Sequence, residues 1–441
     1  MALNAGEPAY DTVLRVKAVL ITPGTGNFHC GSCLRDAALV REMRRCGHDV
    51  LCVPLYLPLV LEEEHLTDAP IFFGGVNVYL QQKFDFFQKT PRWMDRLLDQ
   101  PGLLRRLAQG DNMTNANELG ALTISMLRGE EGRQVKEVRR LAKWLTEQDR
   151  PDLICVSNAL MLGIGVALKR ALQVPMVCTL QGEDSFLDDL PEAASAEAWS
   201  ILRGLAREVD SFIAVSNYYG DVMGKRLAID SDRMHIVPNG IDLTGFDTRE
   251  SLPDPPVIGF FARMCPAKGL HSLVDAFIRI RTTADAGELR LHIGGAMTAA
   301  DRAYIDEQAE KLRAAGLAED AVFHANLSRA EKIDFYRNLS VLSVPAMYGE
   351  SFGLYVVEAL ACGVPVVQPD HAAFRELLEA TGGGLLVPPH DEPAYDRALL
   401  DLALDRDRNL AMGAAGRDAV LERFSVKEMA KGVLLVLQSA D

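Results

Sequence analysis

The feature that most restricts the fold is an alternation of short apolar strands with helical periodicity, which runs along the chain, lapses and starts again. Val16 to Ile21 reads as a strand ended by Pro23-Gly24-Thr25-Gly26, and Ser32 to Cys46 follows as a helix with Leu39, Met43 and Cys46 at i, i+4 and i+7. Gly47-His48 then leads into the strand Val50 to Leu55. Such a unit implies parallel pairing, because two parallel strands need a crossover, usually a helix, between them. The pattern returns at Leu153 to Val156, Ala159 to Leu172 and Met176 to Leu180, and again from Phe212 to Val237. After Pro238 to Pro256, rich in Pro, Gly, Asp and Thr and read as a linker, it restarts. Val257 to Phe261, Leu289 to Ile293, Ala321 to His324 and Ser340 to Val344 are strands, with helices at 302–314 and Ala330 to Asn338 among the connections.

With 441 residues the chain exceeds one comfortable core. The expected organisation is α/β, in two similar lobes that face one another. Residues 1–244 are the first lobe, with an insertion near 56–150 that breaks the rhythm through Phe72 to Tyr79 and the helical stretch Trp93 to Leu107. Residues 245–422 are the second, and 423–441 an amphipathic helix that packs back on the first.

A net charge of −15 argues against nucleic acid as a partner, since phosphate backbones are held by basic surfaces that release counterions. Met1 to Tyr10 lacks a basic start followed by an apolar core, so a cytoplasmic location is expected. The apolar stretch from Ala159 to Leu168 is too short to cross a bilayer, and no transmembrane segment is expected. The eight cysteines are scattered, as suits reduced thiols. His29-Cys30-Gly31-Ser32-Cys33 has the spacing of a redox pair or metal half-site, but no second such cluster completes it, so Cys30 and Cys33 read as inert and no metal is expected. Asp188-Asp189 reads as a solvated acidic face in a helix-poor loop rather than a metal pair.

Near the C-terminus Glu350-Ser351-Phe352-Gly353 runs into Leu354-Tyr355-Val356-Val357-Glu358, which sets two glutamates apart across a loop that opens a helix. Gly353 lets backbone approach a ligand, and the N–H groups of a helix start suit phosphate oxygens. Glu358, over a turn inside, is placed to accept hydrogen bonds from a diol such as a ribose, while Glu350 stays on the loop. The alternative is a surface glutamate plus a capping one. Arg263 and Lys268 follow the first strand of the second lobe, where open parallel sheets bind ligands, and together they suit a diphosphate. The alternative there is a solvated basic pair.

Over nearly its whole length the chain resembles the family 4 retaining glycosyltransferases, which have two Rossmann-like lobes facing a central cleft, the glycosyltransferase-B fold. The resemblance rests on Val237-Pro238-Asn239-Gly240-Ile241-Asp242, on Arg263 with Lys268-Gly269, on Glu350 to Glu358, on Ala359 to Val367 and on Gly383-Gly384-Leu385-Leu386-Val387-Pro388. It implies that Arg263 and Lys268 hold the diphosphate of a nucleotide-sugar donor, Glu358 the ribose and Glu350 the donor sugar. The backbone of Phe352 and Gly353 would lie along sugar and phosphate, and the loop of Gly24 and Gly26 would close over the diphosphate from the other lobe. Gln181 and Asn239 fall on the acceptor side. Many relatives carry a histidine where this chain has Gln181, which hydrogen-bonds a hydroxyl but takes up no proton at neutral pH.

The implied reaction is retaining transfer of a hexosyl group to a hydroxyl of a glycan, lipid or small molecule, with no metal and no permanently bound cofactor. Three rivals stand beside it: a nucleotide-sugar epimerase of the same fold, a pyridoxal-phosphate phosphorylase and a non-catalytic sugar-nucleotide-binding protein.

Overall fold

The computed structural model describes residues 15–24, 31–55, 116–283 and 287–440. Strands β1 (Lys17–Thr22), β2 (Asp49–Pro54), β3 (Leu153–Val156), β4 (Met176–Leu180), β5 (Ser211–Ala214) and β6 (Met234–Ile236) form one sheet in the order β2-β1-β3-β4-β5-β6. Strands β7 (Val257–Phe261), β8 (Arg290–Gly295), β9 (Ala321–Ala325), β10 (Val341–Leu342), β11 (Val366–Pro369) and β12 (Gly384–Val387) form a second, ordered β12-β11-β10-β7-β8-β9. Every pairing is parallel. Helices cover both faces, so β3 and β4 are buried at every residue and read as unbroken apolar runs.

Each sheet starts in its middle and reverses direction once, between β1 and β3 in the first and between β7 and β10 in the second. Strands that diverge from such a point leave a crevice at their carboxyl ends, where ligands of doubly wound sheets sit. Pro23-Gly24 lies at the end of β1, and Arg263 and Lys268 follow β7.

Strands β3, β4 and β7 and the helix Arg302–Ala314 have the bounds read from the sequence. The segment Ala159 to Leu172 is instead a 3-10 turn, Ala159–Met161, followed by the helix Leu162–Leu172, because the Asn158 side chain accepts the Leu160 N–H at 3.1 Å and tightens the start. The strand expected at Ser340 to Val344 shrinks to β10, although Ser340 and Ser343 still donate their N–H groups to Val257 and Gly259 at 2.8 and 2.9 Å. Pro345, with no N–H to give, ends the ladder.

Residues 116–150, read as part of an insertion, form the helices Ala116–Leu127 and Val135–Thr146, and Leu127, Val138, Leu141 and Leu145 lie in the main hydrophobic core. The stretches Phe72 to Tyr79 and Trp93 to Leu107 lie outside the described residues, as do Gly26 and Cys30. Asp188 closes the helix Glu183–Asp188 rather than standing in a loop, and it accepts from Trp199 Nε1 at 3.0 Å and Arg226 Nη1 at 2.7 Å.

The helix Val426–Ser439 brings the chain's end onto the first sheet, where Met429, Val433 and Leu437 share a buried cluster with Val16, Leu20, Val40 and Met43. It gets there beside the linker: Ile241 donates its N–H to Phe424 O at 2.9 Å and accepts from Val426 N at 2.8 Å. Among the described residues no helix is long and apolar enough to cross a membrane.

Candidate functional site

The loop after β10 ends at Gly353, which caps the helix Leu354–Ala361 with φ 90°. That left-handed backbone is open to glycine and strained for other residues. Glu350, three residues earlier, is only 7% exposed. Its Oε2 accepts from Lys268 Nζ at 2.7 Å, from the Tyr348 hydroxyl at 2.9 Å and from the Tyr355 hydroxyl at 2.8 Å. Burial pushes the Glu350 carboxyl up, but the Lys268 charge and these hydrogen bonds outweigh it and hold the group below the usual value. Burial and the Glu350 charge raise both phenols, so Tyr348 and Tyr355 remain donors at neutral pH.

Lys268 ends the 3-10 turn Pro266–Lys268, and Gly269 follows at φ 75°. A Cβ on Gly269 would stand 2.2 Å from the Pro345 carbonyl oxygen, so the loops leaving β7 and β10 touch here with no room for a side chain. Lys268 Nζ also lies 4.7 Å from the Tyr348 ring centre and donates to its hydroxyl, which fixes the ammonium against the site wall.

Glu358 sits just over a turn into the helix, where Oε1 meets Lys332 Nζ at 2.5 Å and Oε2 the Tyr336 hydroxyl at 2.9 Å. Two partners leave lone pairs on a carboxylate for further hydroxyl donors. The Arg263 guanidinium is 55% exposed and held by Asp301, with Nη2 3.1 Å from Oδ1. Burial raises the Asp301 carboxyl, but hydrogen bonds from the Thr298 hydroxyl and backbone and from Arg263 bring it below its usual value.

The remaining expected residues are placed as follows. Gly24, φ 67°, lies two residues past β1 at the first sheet's reversal. The Phe352 ring is buried and lies 6.1 Å from Phe424. Gln181, just past β4, donates Nε2 to Ser157 O at 2.7 Å, and its carbonyl accepts from Ser351 Oγ of the other lobe at 3.2 Å. Asn239 is 5% exposed, and its Oδ1 accepts from Arg35 Nε at 3.2 Å. Arg35 in turn donates to Asp36 at 2.9 Å, so Asn239 belongs to a buried polar group beside the first reversal.

The structure thus joins Lys268 to Glu350, and sets Arg263 against Asp301 and Glu358 against Lys332 and Tyr336. Tyr348, Tyr355, Lys332, Tyr336 and Asp301 escaped the reading of the sequence. Lys332 and Tyr336 stand at i and i+4 of the helix Arg329–Arg337, a spacing that puts them on one face but does not say which helix that face meets.

The model of the family described as Glycosyl transferases group 1 matches residues 246–419, and that of Glycosyltransferase Family 4 matches residues 107–244. The lipopolysaccharide core biosynthesis mannosyltransferase LpsB of Rhizobium meliloti is 31% identical over 264 residues, which cover 55% of this chain and 68% of LpsB. The chain belongs to the group 1 glycosyltransferases. A D-inositol 3-phosphate glycosyltransferase of Xylanimonas cellulosilytica is 30% identical over 246 residues, 52% of this chain and 57% of that relative. The match therefore spans little more than half of that protein's length.

Among solved structures, sucrose-phosphate synthase of Thermosynechococcus elongatus superposes with a TM-score of 0.70 at 17% identity, covering 96% of this chain and 98% of the other. Anabaena HepE in complex with UDP and glucose superposes with a TM-score of 0.67, also at 17% identity, covering 96% and 100%. At this identity the likeness is one of fold. This glycosyltransferase has two Rossmann-like lobes in the glycosyltransferase-B arrangement.

Proposed function

We propose that this glycosyltransferase moves a hexosyl group from a nucleotide-diphosphate sugar to a hydroxyl acceptor with retention of configuration, and that it needs no metal. In this reading residues 245–422 hold the donor and residues 1–244 the acceptor. The observation that carries it is the Lys268–Glu350 pair at the reversal of the second sheet, with Glu358 just over a turn into the helix that follows.

Lys268 and Arg263 donate to the diphosphate, whose negative charge grows as the bond to the sugar breaks. Glu350, ionised and next to Lys268, faces the sugar as it gains oxocarbenium character, and Glu358 accepts from the ribose. The acceptor hydroxyl attacks from the face the diphosphate leaves, and a leaving phosphate oxygen takes its proton; Gln181 orients a hydroxyl without taking that proton. Positive charge preset on the leaving group is worth about 3 kcal/mol per cation, or roughly two orders of magnitude in rate.

A thermal-shift panel of UDP-, GDP-, ADP- and TDP-sugars finds the donor, since saturation at about a hundred times Kd stabilises by about 2.7 kcal/mol. NMR of the product made in the presence of EDTA then tests the reaction. An inverted anomeric centre, or transfer abolished by the chelator, overturns the reading. A free sugar-nucleotide isomer formed without acceptor favours the epimerase instead.

A further inference from the structure

The loop that carries Glu350 is held from both sides of the cleft. Gly349 approaches the first lobe so closely that a Cβ on it would stand 2.2 Å from the Tyr218 hydroxyl oxygen. The Ser351 carbonyl accepts from Ser216 Oγ at 2.6 Å, and the Ser351 hydroxyl donates to Gln181 O at 3.2 Å. Glu350 itself accepts, on its carbonyl, the N–H of Ala373 at 3.3 Å.

Ala373 opens the nine-residue helix Ala373–Thr381, and the same helix reaches the other lobe through Glu376. Glu376 Oε2 accepts the backbone N–H of Asn217 at 3.0 Å and its Nδ2 at 2.8 Å, while Oε1 accepts the N–H of Tyr218 at 3.0 Å. Asn217 begins the helix Asn217–Leu227 of the first lobe, so the carboxylate sits on the positive end of that helix dipole. One short helix therefore has its first amide on the Glu350 backbone and its carboxylate on the opposite lobe.

We propose that Glu376 is a positioning residue that couples closure of the two lobes to the placement of Glu350. The proposal rests on the reading of Glu350 as a donor-site residue; the clasp between the lobes does not. Both carboxylate oxygens accept, so an amide cannot replace it: Gln at this position turns an NH2 group toward one of the N–H donors.

The test compares the full chain with Glu376→Gln, Glu376→Ala and Asn217→Asp, the last placing a second carboxylate against Glu376 from an exposed position. Small-angle X-ray scattering is recorded with and without UDP or GDP. Nucleoside-diphosphate titrations, and kinetics with UDP-glucose and GDP-mannose, follow. The variants are expected to scatter with a larger radius of gyration and to lose kcat by about tenfold, with Kd for the nucleoside diphosphate held within about twofold. Scattering like the wild type in all three variants overturns the clasp, and an unchanged kcat overturns the coupling. A wild type that transfers from no nucleotide sugar sinks the transferase reading, while scattering still decides the clasp.

Discussion

Lys268 Nζ stands 2.7 Å from Glu350 Oε2, and the pair bridges two loops that leave neighbouring strands of the second sheet. Its lysine is thus the charge partner of a buried carboxylate, and in the proposed reaction also the cation that meets the diphosphate. Removing it leaves Glu350 with two phenol donors and no counter-charge, a larger loss than that of an exposed pair.

Lys268→Ala is therefore expected to destabilise the protein by about 1–3 kcal/mol, and Arg263→Ala by less than about 1 kcal/mol. Arg263 is half exposed, and Asp301 keeps its Thr298 hydrogen bonds without it. Both variants lower the affinity for a nucleoside diphosphate. Urea denaturation and titration separate the two effects, and equal stability losses would contradict the paired role of Lys268.

Glu358→Gln keeps an acceptor for Tyr336 but leaves the Lys332 ammonium, 16% exposed, without its anion. The expected cost is about 1 kcal/mol of stability, together with about tenfold weaker donor binding from the lost charge-assisted bonds. Lys332→Met in the Glu358→Gln background should restore the stability and not the affinity. Recovery of both by the second substitution would mean that Glu358 is structural.

The parallel architecture was legible because strands covered on both faces write themselves as apolar runs: Met176 to Leu180 and Val257 to Phe261 have no competing period. The placement of Glu350 on the loop and of Glu358 just over a turn into the helix was legible for a different reason, since Gly353 marks a forced left-handed turn and sets the helix phase behind it. What surrounds them was not. Tyr348, Lys332 and Tyr336 reach the two carboxylates by tertiary packing, and no spacing along the chain encodes which face of one helix meets another. The same holds for Asn239, whose Oδ1 accepts from Arg35, a buried partner far from it in sequence that no spacing encodes.

Gly269→Ala tests how tightly the two site loops are joined. The added methyl meets the Pro345 carbonyl at 2.2 Å in a backbone with φ 75°, so the loops must part or the turn must change. A loss of about 1–3 kcal/mol is expected, with kcat falling as Lys268 shifts from Glu350. Unaltered Tm and kcat would show that the turn relaxes without moving Lys268.

His292 on β8 and His324 on β9 supply a pH signature away from the cleft, their rings 5.5 Å apart and both packed near Phe335. Burial, then the neighbouring His324 and Arg290, depress His292 to about 4, and burial also lowers His324. An unfolded histidine titrates near about 6.5, so as pH falls from there toward 4 the unfolded chain gains a proton that the folded one refuses. The stability of the neutral ring is thus complete above the unfolded value and is lost on acidification through that window. Discounted for the ring's partial exposure, His292 alone accounts for about 1–2 kcal/mol of the loss by pH 5. His292→Gln is expected to match or fall slightly below the wild type in Tm at pH 7.5 and to overtake it at pH 5. A Tm difference that stays constant across this range would mean that His292 accepts its proton as readily in the folded protein as in the unfolded chain.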